Sequence, residues 1–278
     1  MIQDIGSKKF LNQYENVSAC EDDYVFAFSE GKVLISGEPG GELDVPKANN
    51  FDRERLQYLF CIDERRYFLY MDFDFSCEDW NLEGFRWENP RLLRQKVSKD
   101  ICFASATAMH LYVWYRDNRF CGRCAKPLLH KESERALVCP ECGNTVYPKI
   151  APAVIVALVD GDRILMTKYA GRTFKRYALI AGFTEIGETA EETVKREVME
   201  EVGLKVKSVR YYKSQPWGVD SDLLLGFVAE LDGSDSVTLD EDELSTAEWF
   251  TRENMPVTEN DDISLTREMM WAFREGIL

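Results

Sequence analysis

The sequence predicts a mixed α+β protein, and three local patterns support this fold class. Two apolar runs, AVIVALV and RILMTK, flank Asp160-Gly161, a dipeptide typical of the turn of a β-hairpin. Residues 189–192 (TAEE) form a capping-box pattern, which predicts a helix over 190–202 that ends at Gly203. Two Cys-x-x-Cys pairs precede these elements and indicate a small module held together by a metal ion.

The chain of 278 residues is long enough for two compact units, or for one unit with a large insertion. Residues 1–118 alternate short apolar runs (YVFAFS, KVLIS, YLFCI and RRYFLYMDFDF) with turns, and a predicted helix over 100–115 follows, which indicates a mixed α+β domain. A cysteine-rich module occupies 119–148, and a third domain spans 149–278. In this last domain we expect further strands at 205–213, 223–231 and 247–250. We expect a final helix at 264–276.

Composition excludes several classes of protein. The formal net charge of −15 argues against broad electrostatic capture of nucleic acid, which needs a basic surface. The longest apolar stretch, Ala151 to Val159, is too short to cross a bilayer, and the polar start MIQDIGSKKF lacks the apolar core of a signal peptide. We therefore expect a cytoplasmic protein without a membrane partner, one that holds any anionic substrate by local contacts.

The four paired cysteines, Cys121, Cys124, Cys139 and Cys142, are candidate zinc ligands. Fourteen residues separate the two pairs, which is close to the spacing of four-cysteine zinc sites. A closed shell of four thiolates leaves no position for water, so the predicted zinc is structural. Redox pairs or coincidence are the alternatives, and a short, turn-rich segment with little core of its own favours zinc over both.

The predicted helix over 190–202 carries an apolar stripe and an acidic cluster. Ala190, Val194, Val198 and Val202 recur every four residues. Glu197, Glu200 and Glu201 stand at i, i+3 and i+4, so their carboxylates converge. A solvated acidic face is the alternative, but clustered carboxylates repel one another and are the ligands that hard cations such as Mg²⁺ require. The cluster therefore predicts a divalent-metal site.

These residues lie in a longer pattern that resembles the complete Nudix box. The pattern runs from Gly182 through Glu188 to Arg196-Glu-Val-Met-Glu-Glu-Val-Gly-Leu204. The chain is further similar to the bacterial NADH pyrophosphatases, a branch that also decaps NAD-capped RNA, in its cysteine pairs and in three short motifs. These motifs are Tyr147-Pro-Lys-Ile150, Ala181-Gly182-Phe183 and Ser214-Gln-Pro-Trp217. The resemblance implies a Nudix α/β/α sandwich with a mixed sheet, preceded by a zinc ribbon and an N-terminal Nudix-like domain, although the first hundred residues match only in position and size.

The chain departs from this branch directly after Trp217. The branch continues Pro-Phe-Pro-x-Ser, whereas this chain has Gly218-Val219-Asp220-Ser221. Loss of apolar and aromatic surface from a recognition loop weakens stacking on a base, and Asp220 brings a negative charge unless it points to solvent or binds a ribose hydroxyl. We therefore expect a smaller preference for NADH over ADP-ribose than in a relative with the full motif.

The resemblance also implies roles for individual residues. Glu197, Glu201, the main-chain oxygen of Ala181 and Glu243 would bind Mg²⁺ or Mn²⁺, and Glu200 would be a further ligand or the base that activates water. Arg196 would orient a carboxylate of the box; a surface ion pair with Glu192 is its alternative. The expected substrate-binding residues are Tyr147, Phe183, Gln215, Pro216, Trp217, Gly218, Val219, Asp220, Ser221, Asp222 and Thr266. Tyr147 and Phe183 would stack on a base, with core packing as the alternative for each, and the Gln215 to Trp217 segment is expected in a polar loop.

The function implied by the resemblance is hydrolysis of NADH or NAD⁺ to nicotinamide mononucleotide and AMP, with NAD-capped RNA as a further substrate. Hydrolysis of ADP-ribose or a diadenosine polyphosphate is the alternative among enzymes. A non-catalytic nucleotide sensor is the alternative of another class, and the intact carboxylate cluster argues against it. A homodimer is expected from the family alone.

Overall fold

The computed structural model describes residues 1–37, 43–74, 76–77, 84–90, 93, 97–171, 176–256 and 263–278. Contacts divide the chain into two compact units. The N-terminal unit comprises 4–149 together with 217–221, and the C-terminal unit comprises 1–3, 150–216 and 222–278. None of the helices in the described ranges combines the length and the hydropathy that a bilayer crossing needs.

Before the cysteine-rich module, the described part of the N-terminal unit contains two small sheets, two short 3₁₀ helices and one long helix. The strands are β1 (Phe10–Leu11), β2 (Tyr24–Phe26), β3 (Phe28–Ser29), β4 (Lys32–Ser36), β5 (Leu56–Ile62), β6 (Arg65–Tyr70) and β7 (Phe85–Glu88). The 3₁₀ helices are Ala48–Asn50 and Arg53–Arg55, and α1 is Lys99–Asp117. One sheet has the order β1-β5-β6-β2, with β2 parallel to β6, and the other has the order β3-β4-β7.

The apolar runs of the N-terminal sequence form the strands expected from them. YVFAFS spans β2 and β3, KVLIS is β4, and YLFCI lies within β5. RRYFLYMDFDF forms β6 only as far as Tyr70; its acidic end is not a strand within the described residues, and residue 75 lies outside them. The predicted helix over 100–115 is confirmed as α1, and it is slightly longer at both ends.

The cysteine-rich module forms a three-stranded antiparallel sheet of very short strands. These strands are β8 (Leu129–His130), β9 (Leu137–Val138) and β10 (Thr145–Val146), in the order β10-β9-β8. Strands of this length bury little apolar surface, so a module of this size requires another source of stability.

The C-terminal unit is built on a six-stranded mixed sheet of order β14-β15-β11-β12-β16, with β13 paired to β11. The strands are β11 (Ala151–Asp160), β12 (Arg163–Tyr169), β13 (Ile180–Phe183), β14 (Val206–Trp217), β15 (Asp222–Leu231) and β16 (Leu244–Thr251). The helices are α2 (Ala190–Val202) and α3 (Leu265–Arg274). The predicted hairpin is confirmed: β11 and β12 pair around Gly161 and Asp162, so its turn lies one residue later than the Asp160-Gly161 dipeptide.

Two strands, β12 and β13, pair with the same edge of β11. Strand β11 pairs with β12 only at Val159 and Asp160, next to the hairpin turn, whereas residues 153–156 pair with β13. On its other edge β11 runs parallel to β15 over its first nine residues. Because β12 diverges from β11, the segment Ala181-Gly182-Phe183 becomes part of the sheet itself and lies directly beside α2.

Side chains that alternate along β11 build a separate core on each face of the sheet. Val154, Val156 and Leu158 lie on one face and pack with the apolar stripe of α2, which includes Val194, Val198 and Val202. Ile155 and Ala157 point to the opposite face and pack with residues of α3 such as Met269 and Phe273. The α/β/α sandwich with a mixed sheet is thus confirmed.

The ends of α2 are fixed by the local contacts that its sequence predicts. Thr189 Oγ1 accepts a hydrogen bond from the backbone N of Glu192 at 3.2 Å, and Glu192 Oε2 accepts one from the backbone N of Thr189 at 2.8 Å. Gly203 ends the helix with a φ of 69°, a conformation that glycine adopts without strain. These contacts fix which residues of α2 face the sheet and which face outward.

The expectation of a polar loop at Gln215 to Trp217 is wrong, because β14 continues to Trp217. Gln215 is fully buried within this strand. Its Nε2 donates to the carbonyl of Ile263 at 2.7 Å, and its Oε1 accepts from the backbone N of Leu265 at 2.7 Å. Gln215 therefore connects β14 to the start of α3 and has its amide engaged within the protein, which argues against its expected role in binding substrate.

The remaining predicted elements of this unit are present. The strand expected at 223–231 is β15, and the strand expected at 247–250 is β16, which begins earlier, at Leu244. The final helix is α3, and Ser264 caps it by accepting a hydrogen bond from the backbone N of Arg267. Strand β13 has no counterpart among the sequence-predicted elements, because its four residues are too few for a periodic pattern.

We predict that Gln215→Ala destabilises the protein without changing its overall structure. The variant leaves a buried carbonyl and a buried N–H without their partner, which costs about 1–3 kcal/mol. Gln57→Ala is the matched control, because the Gln57 amide makes only a weak hydrogen bond, of 3.3 Å, to its neighbour Tyr58. Urea unfolding of both variants measures the effect, and equal stability of the two would contradict the structural role of Gln215.

Candidate active site

Arg196 lies at the centre of a network of hydrogen bonds within the C-terminal unit. Its Nε donates to Glu188 at 2.6 Å, and its Nη1 donates to Glu197 at 2.7 Å and to Glu200 at 2.8 Å. Its Nη2 donates to the carbonyl oxygen of Phe183 at 2.8 Å. The guanidinium thus orients three carboxylates of the box at once. Its partner is not Glu192, the alternative expected from helix spacing, because the carboxylate of Glu192 caps α2.

Glu188 is the main partner of Arg196. In the sequence, Glu188 is marked only by its place in the box pattern, and nothing there indicates its contact with Arg196. It also accepts hydrogen bonds from the backbone N of Glu185 at 3.1 Å and from Thr193 Oγ1 at 3.0 Å. The hydrogen bond from Arg196 and these further donors lower the pKa of Glu188 to about 2. Glu188 is therefore ionised at neutral pH and anchors the guanidinium.

Gly182 brings β13 into close contact with α2. An added Cβ at this position would overlap the carboxylate of Glu197, so the space that a side chain would occupy is taken by that carboxylate. Glu197 itself is buried, and burial raises its pKa above the usual value. The glycine of the Nudix box is therefore required here for space rather than for backbone conformation.

Glu201 is the most deeply buried carboxylate of the cluster, with only 1% of its surface exposed. Its Oε1 accepts a long hydrogen bond of 3.4 Å from the backbone N of Ala181, and its Oε2 has no partner among the described residues. Burial, with the nearby charges of Glu197, Glu243 and Asp240, raises the pKa of Glu201 to about 8. A buried carboxylate oxygen without a donor is costly unless a cation or a proton satisfies it.

Glu243 reaches the vicinity of this cluster because its loop is attached to the end of α2. The backbone N of Thr238 donates to the carbonyl of Val202 at 2.9 Å, and the backbone N of Asp240 donates to that of Glu201 at 3.0 Å. The charge of Glu243 contributes to the raised pKa of both Glu197 and Glu201. Asp240 was not expected from the sequence, and the acidic run DEDE is the only signal for it.

The carboxylates of the box fit a divalent cation in chemistry and in charge. Glu201 has a buried carboxylate oxygen without a partner among the described residues, the charges of Glu197 and Glu243 act on the same carboxylate, and Mg²⁺ and Mn²⁺ bind carboxylate oxygens. Within the described ranges, the box carboxylates are not drawn together as tightly as metal ligands, and the four cysteines are the group found at ligand spacing.

The cysteines of the ribbon form a compact cluster. Their sulfur atoms all lie within 4.8 Å of one another, and Cys124 Sγ lies 3.4 Å from Cys139 Sγ and 3.6 Å from Cys142 Sγ. Ligands at the Zn–S distance of about 2.3 Å in a tetrahedron are separated by roughly 3.8 Å. The spacing therefore fits a four-thiolate zinc site, as the sequence predicts.

Two equivalent backbone turns present these sulfur atoms. The backbone N of Ala125 donates to the carbonyl of Cys121 at 2.8 Å, and that of Gly143 donates to the carbonyl of Cys139 at 3.0 Å. A hydrogen bond from the backbone N of Arg123 lowers the pKa of Cys121, which favours the thiolate that zinc binds. The ribbon belongs to the N-terminal unit, and its closed ligand shell has no catalytic position.

Two of the aromatic residues expected to bind a base are exposed. Phe183 stands at the end of β13 with 55% of its surface exposed, so core packing, its alternative, is wrong. Tyr147 in the N-terminal unit is equally exposed, and its hydroxyl donates to Glu134 at 3.2 Å. Both rings therefore have free surface on which a base could stack.

The segment Trp217 to Ser221 groups with the N-terminal unit and forms the turn between β14 and β15. Trp217 is partly buried, Gly218 is buried, and Val219 and Ser221 are partly buried. Asp220 is exposed, and its carboxylate accepts a hydrogen bond from the indole of Trp217. The charge of Asp220 is thus directed at a neighbouring ring, a partner that the sequence did not suggest.

The other expected substrate residues belong to the C-terminal unit. Pro216 is exposed on β14, and Asp222 is buried at the start of β15, where it pairs with Ala151. Thr266 lies in the first turn of α3 and is partly buried. Their part in substrate binding stays a prediction.

This fold and this box define a Nudix hydrolase, an enzyme that acts on diphosphate bonds. The "NUDIX domain" profile matches residues 149–269, and the "NADH pyrophosphatase zinc ribbon domain" profile matches residues 116–147. The chain is 36% identical to the NAD-capped RNA hydrolase NudC of Klebsiella pneumoniae over 79% of this chain and 82% of the relative. It is 34% identical to the NudC of Citrobacter koseri over 85% and 90% of the two chains.

The chain therefore belongs to the NADH pyrophosphatase and NAD-capped RNA decapping branch of the Nudix hydrolase superfamily. The resemblance that the sequence motifs indicate is confirmed at this level.

We predict that Gly182→Ala abolishes most of the activity while the protein stays folded. The added methyl group displaces the Glu197 carboxylate, and a displacement of about 1 Å in a catalytic group can reduce turnover by about 100-fold. Gly122→Ala is the control, since no atom lies within 4 Å of its added Cβ. Diphosphatase assays and circular dichroism of both variants measure the effect; wild-type turnover in Gly182→Ala would contradict this role of the glycine.

We also predict one tightly bound zinc per chain, held by the ribbon. Cys124→Ser should release the metal and lower the thermal stability of the protein, because four-thiolate sites contribute directly to folding. Cys20→Ser is the matched control, since Cys20 is an exposed thiol outside the cluster. Elemental analysis that finds no zinc in wild-type protein purified without a chelator would overturn the assignment.

Proposed function

We propose that this protein hydrolyses the diphosphate bond of NAD⁺ or NADH and releases nicotinamide mononucleotide and AMP. Two relatives named NAD-capped RNA hydrolase match most of its length, and the intact carboxylate network of the box supplies the chemistry. The NAD-capped 5′ end of RNA contains the same diphosphate and is a further candidate substrate. The observation that carries the proposal is the buried carboxylate of Glu201 beside Glu197. One of its oxygen atoms has no hydrogen-bond partner among the described residues, and a cation would satisfy it.

Mg²⁺ or Mn²⁺ is the proposed cofactor. Glu197, Glu201, the carbonyl oxygen of Ala181 and Glu243 would hold it, with Glu200 as a further ligand or as the base. When bound, such an ion neutralises charge on the diphosphate and lowers the pKa of water. The acidic charge of the cluster alone would repel the substrate, so the cation also makes the site compatible with an anion.

The residues of the chain have distinct tasks in this mechanism. Arg196 fixes the direction of the Glu200 carboxylate, whose side chain is 58% exposed and so remains open to solvent. An exposed, oriented carboxylate can accept a proton from an attacking water molecule. Arg196 cannot take the proton itself, because its guanidinium stays charged and is fully used in holding Glu188, Glu197 and Glu200. Phe183 would position a base by stacking on it.

The principal alternative is hydrolysis of ADP-ribose or a diadenosine polyphosphate, and the altered turn at Gly218 to Asp220 favours it. Introducing Pro-Phe-Pro into this turn would not test the alternative, because a Cβ at position 218 would overlap the carbonyl oxygen of Ala106. A non-catalytic sensor is less consistent with the site. A sensor has no need to bury Glu201 without a partner, which lowers stability.

The organisation of the protein around this activity is part of the same proposal. We assign residues 1–118 to a Nudix-like domain, 119–148 to the ribbon and 149–278 to the catalytic domain. A homodimer and a cytoplasmic location are expected from the family, and the reduced, metal-binding use of cysteine agrees with the latter.

We predict that Glu201→Gln reduces turnover by orders of magnitude and leaves the fold intact, because an amide is a poor ligand for a hard cation but is readily buried. Glu191→Gln is the control, since Glu191 is an exposed residue of the same helix. NAD⁺, NADH, ADP-ribose and diadenosine tetraphosphate are each incubated with protein and Mn²⁺, and the products are identified. Undiminished turnover by Glu201→Gln, or by the wild-type protein in EDTA, would refute the mechanism; cleavage of ADP-ribose with none of NAD⁺ or NADH would refute the proposed substrate.

A further inference from the structure

The ribbon, residues 119–148, is a basic segment of an acidic chain. It contains five Lys or Arg residues and three Asp or Glu residues, whereas the whole chain has a formal net charge of −15. Among these basic residues, Arg119 forms an ion pair with Asp74. Arg123 and Lys126 are exposed, and neither side chain forms an ion pair or a hydrogen bond with any described residue. Two cations of the ribbon are therefore open to a ligand.

The first cysteine turn of the ribbon belongs to a closed hairpin at residues 119–128, the ribbon hairpin. The backbone N of Cys121 donates to the carbonyl of Lys126 at 2.8 Å, and the backbone N of Leu128 donates to the carbonyl of Arg119 at 3.0 Å. Cys121 also belongs to the thiolate cluster that fits zinc. The backbone of the ribbon hairpin is thus held from within, and a ligand that binds there need not order it.

Phe120 presents an aromatic ring on the ribbon hairpin. It forms an antiparallel bridge with Pro127, and 59% of its surface is exposed. A single exposed apolar side chain is common on protein surfaces. Here, however, the ring belongs to the same short hairpin as the two open cations, Arg123 and Lys126. Rings that stack on bases and cations that contact phosphates are the two features by which proteins bind single-stranded nucleic acid without reading its sequence.

The charge of the cysteine thiolates offers another explanation for the two cations. Four thiolates outweigh the charge of one zinc ion, and nearby cations would offset the excess. The donors to Cys121 Sγ are, however, the backbone N of Arg123 at 3.4 Å and the side-chain amide of Asn144 at 3.7 Å. The guanidinium of Arg123 makes no such contact with the described residues, so this thiolate is stabilised without it.

We propose that the ribbon hairpin binds single-stranded RNA, with Phe120 stacked on an unpaired base and with Arg123 and Lys126 beside phosphates. The cations favour a polyanion, and the ring favours unpaired bases over a duplex or an acidic peptide. This inference goes beyond the proposed function, because binding of the RNA chain requires neither a nucleotide cap nor the carboxylates of the box. A local basic surface of this kind offsets the repulsion that the net charge of the whole chain would cause.

Fluorescence anisotropy of a labelled, uncapped single-stranded RNA of about 12 nucleotides, a length within the range of known single-strand sites, tests the proposal. Zinc-loaded, full-length protein is titrated at several salt concentrations without Mn²⁺, which gives both Kd and its salt dependence. The variant Arg123→Gln/Lys126→Gln removes the two cations. Lys9→Gln/Lys32→Gln is the matched control, because these lysines are exposed in the same unit and form no ion pair with the described residues.

A second pair of variants tests the ring. Phe120→Leu keeps an apolar side chain but removes the aromatic surface. Tyr211→Leu is its control, since Tyr211 is 58% exposed and belongs to the C-terminal unit. Each variant is also titrated with a duplex RNA of the same length, whose bases are paired and stacked on one another.

We expect Arg123→Gln/Lys126→Gln to raise Kd and to reduce the slope of log Kd against log salt concentration by about 1.4, since each lost phosphate contact removes about 0.7. Phe120→Leu should raise Kd for the single strand by about five- to tenfold, as loss of one stacked base implies, with the slope unchanged. Its Kd for the duplex should not change. Both control variants should bind RNA as the wild-type protein does.

Wild-type affinity for single-stranded RNA in Arg123→Gln/Lys126→Gln or in Phe120→Leu would overturn the proposal. So would an equal effect of a variant and its control, or equal binding of labelled polyglutamate by the wild-type protein, which would indicate a surface for any polyanion. Loss of zinc from Arg123→Gln/Lys126→Gln would assign its cations to the thiolates and would overturn their role at phosphates.

The oligomeric state of Phe120→Leu is measured as well. Dissociation of an oligomer with an unchanged Kd for RNA would assign Phe120 to an interface between copies of the chain, against the proposal. The RNA carries no cap and no Mn²⁺ is added, so the titrations need no turnover. A protein that binds RNA with the expected pattern of variants but does not cleave NAD⁺ would therefore refute the proposed function alone.

Discussion

The guanidinium of Arg196 holds together the three segments from which the site is built. It binds the carbonyl of Phe183 at the end of β13, Glu188 in the loop before α2, and Glu197 and Glu200 on α2 itself. Planar guanidinium groups suit such a task because they donate several hydrogen bonds in fixed directions and stay charged. Without this cation, three like charges on adjoining turns would repel one another and the geometry of the cluster would be lost.

The arrangement favours function at the expense of stability. Glu201 lies in the core contact between α2 and the sheet, yet one of its oxygen atoms has no partner among the described residues and its pKa is raised to about 8. A leucine there would extend the apolar stripe of α2 and stabilise the fold. Buried carboxylates of this kind are typical of sites where chemistry requires them. Gly182 contributes to the same arrangement. Because it has no side chain, the Glu197 carboxylate can occupy the space beside it.

Much of the C-terminal unit could be predicted from the sequence because its signals are local. The capping box and Gly203 define α2 within one residue, and the runs of apolar residues on either side of the hairpin turn define β11 and β12. The extent of β14 could not be predicted, since Gln215 is polar and only its distant partners, Ile263 and Leu265, make its burial favourable. The packing of Gly218 on α1 depends on residues more than a hundred positions away, which no local pattern reveals.

In the candidate site, too, local spacing predicts some features, whereas others depend on how the chain folds. Spacing on one helix predicts the convergence of Glu197, Glu200 and Glu201, but helix spacing gave Arg196 the wrong alternative partner, because Glu192 is used by the cap of α2. Glu188 becomes the anchor of Arg196 through the fold of the loop before α2. The contact between Asp220 and the indole of Trp217 also required the structure, because the sequence alone does not show which partner an aspartate in a turn will take.

The central claim is that the carboxylates beside Gly182 form a site for a divalent cation, and direct measurement of Mn²⁺ binding tests it without any assumption about substrate. Electron paramagnetic resonance counts the free ion as Mn²⁺ is added to zinc-loaded protein. We expect saturable binding to the wild-type protein that is lost when Glu197 and Glu201 are both replaced by glutamine. Equal binding of Mn²⁺ to the wild-type protein and to the double variant would contradict it.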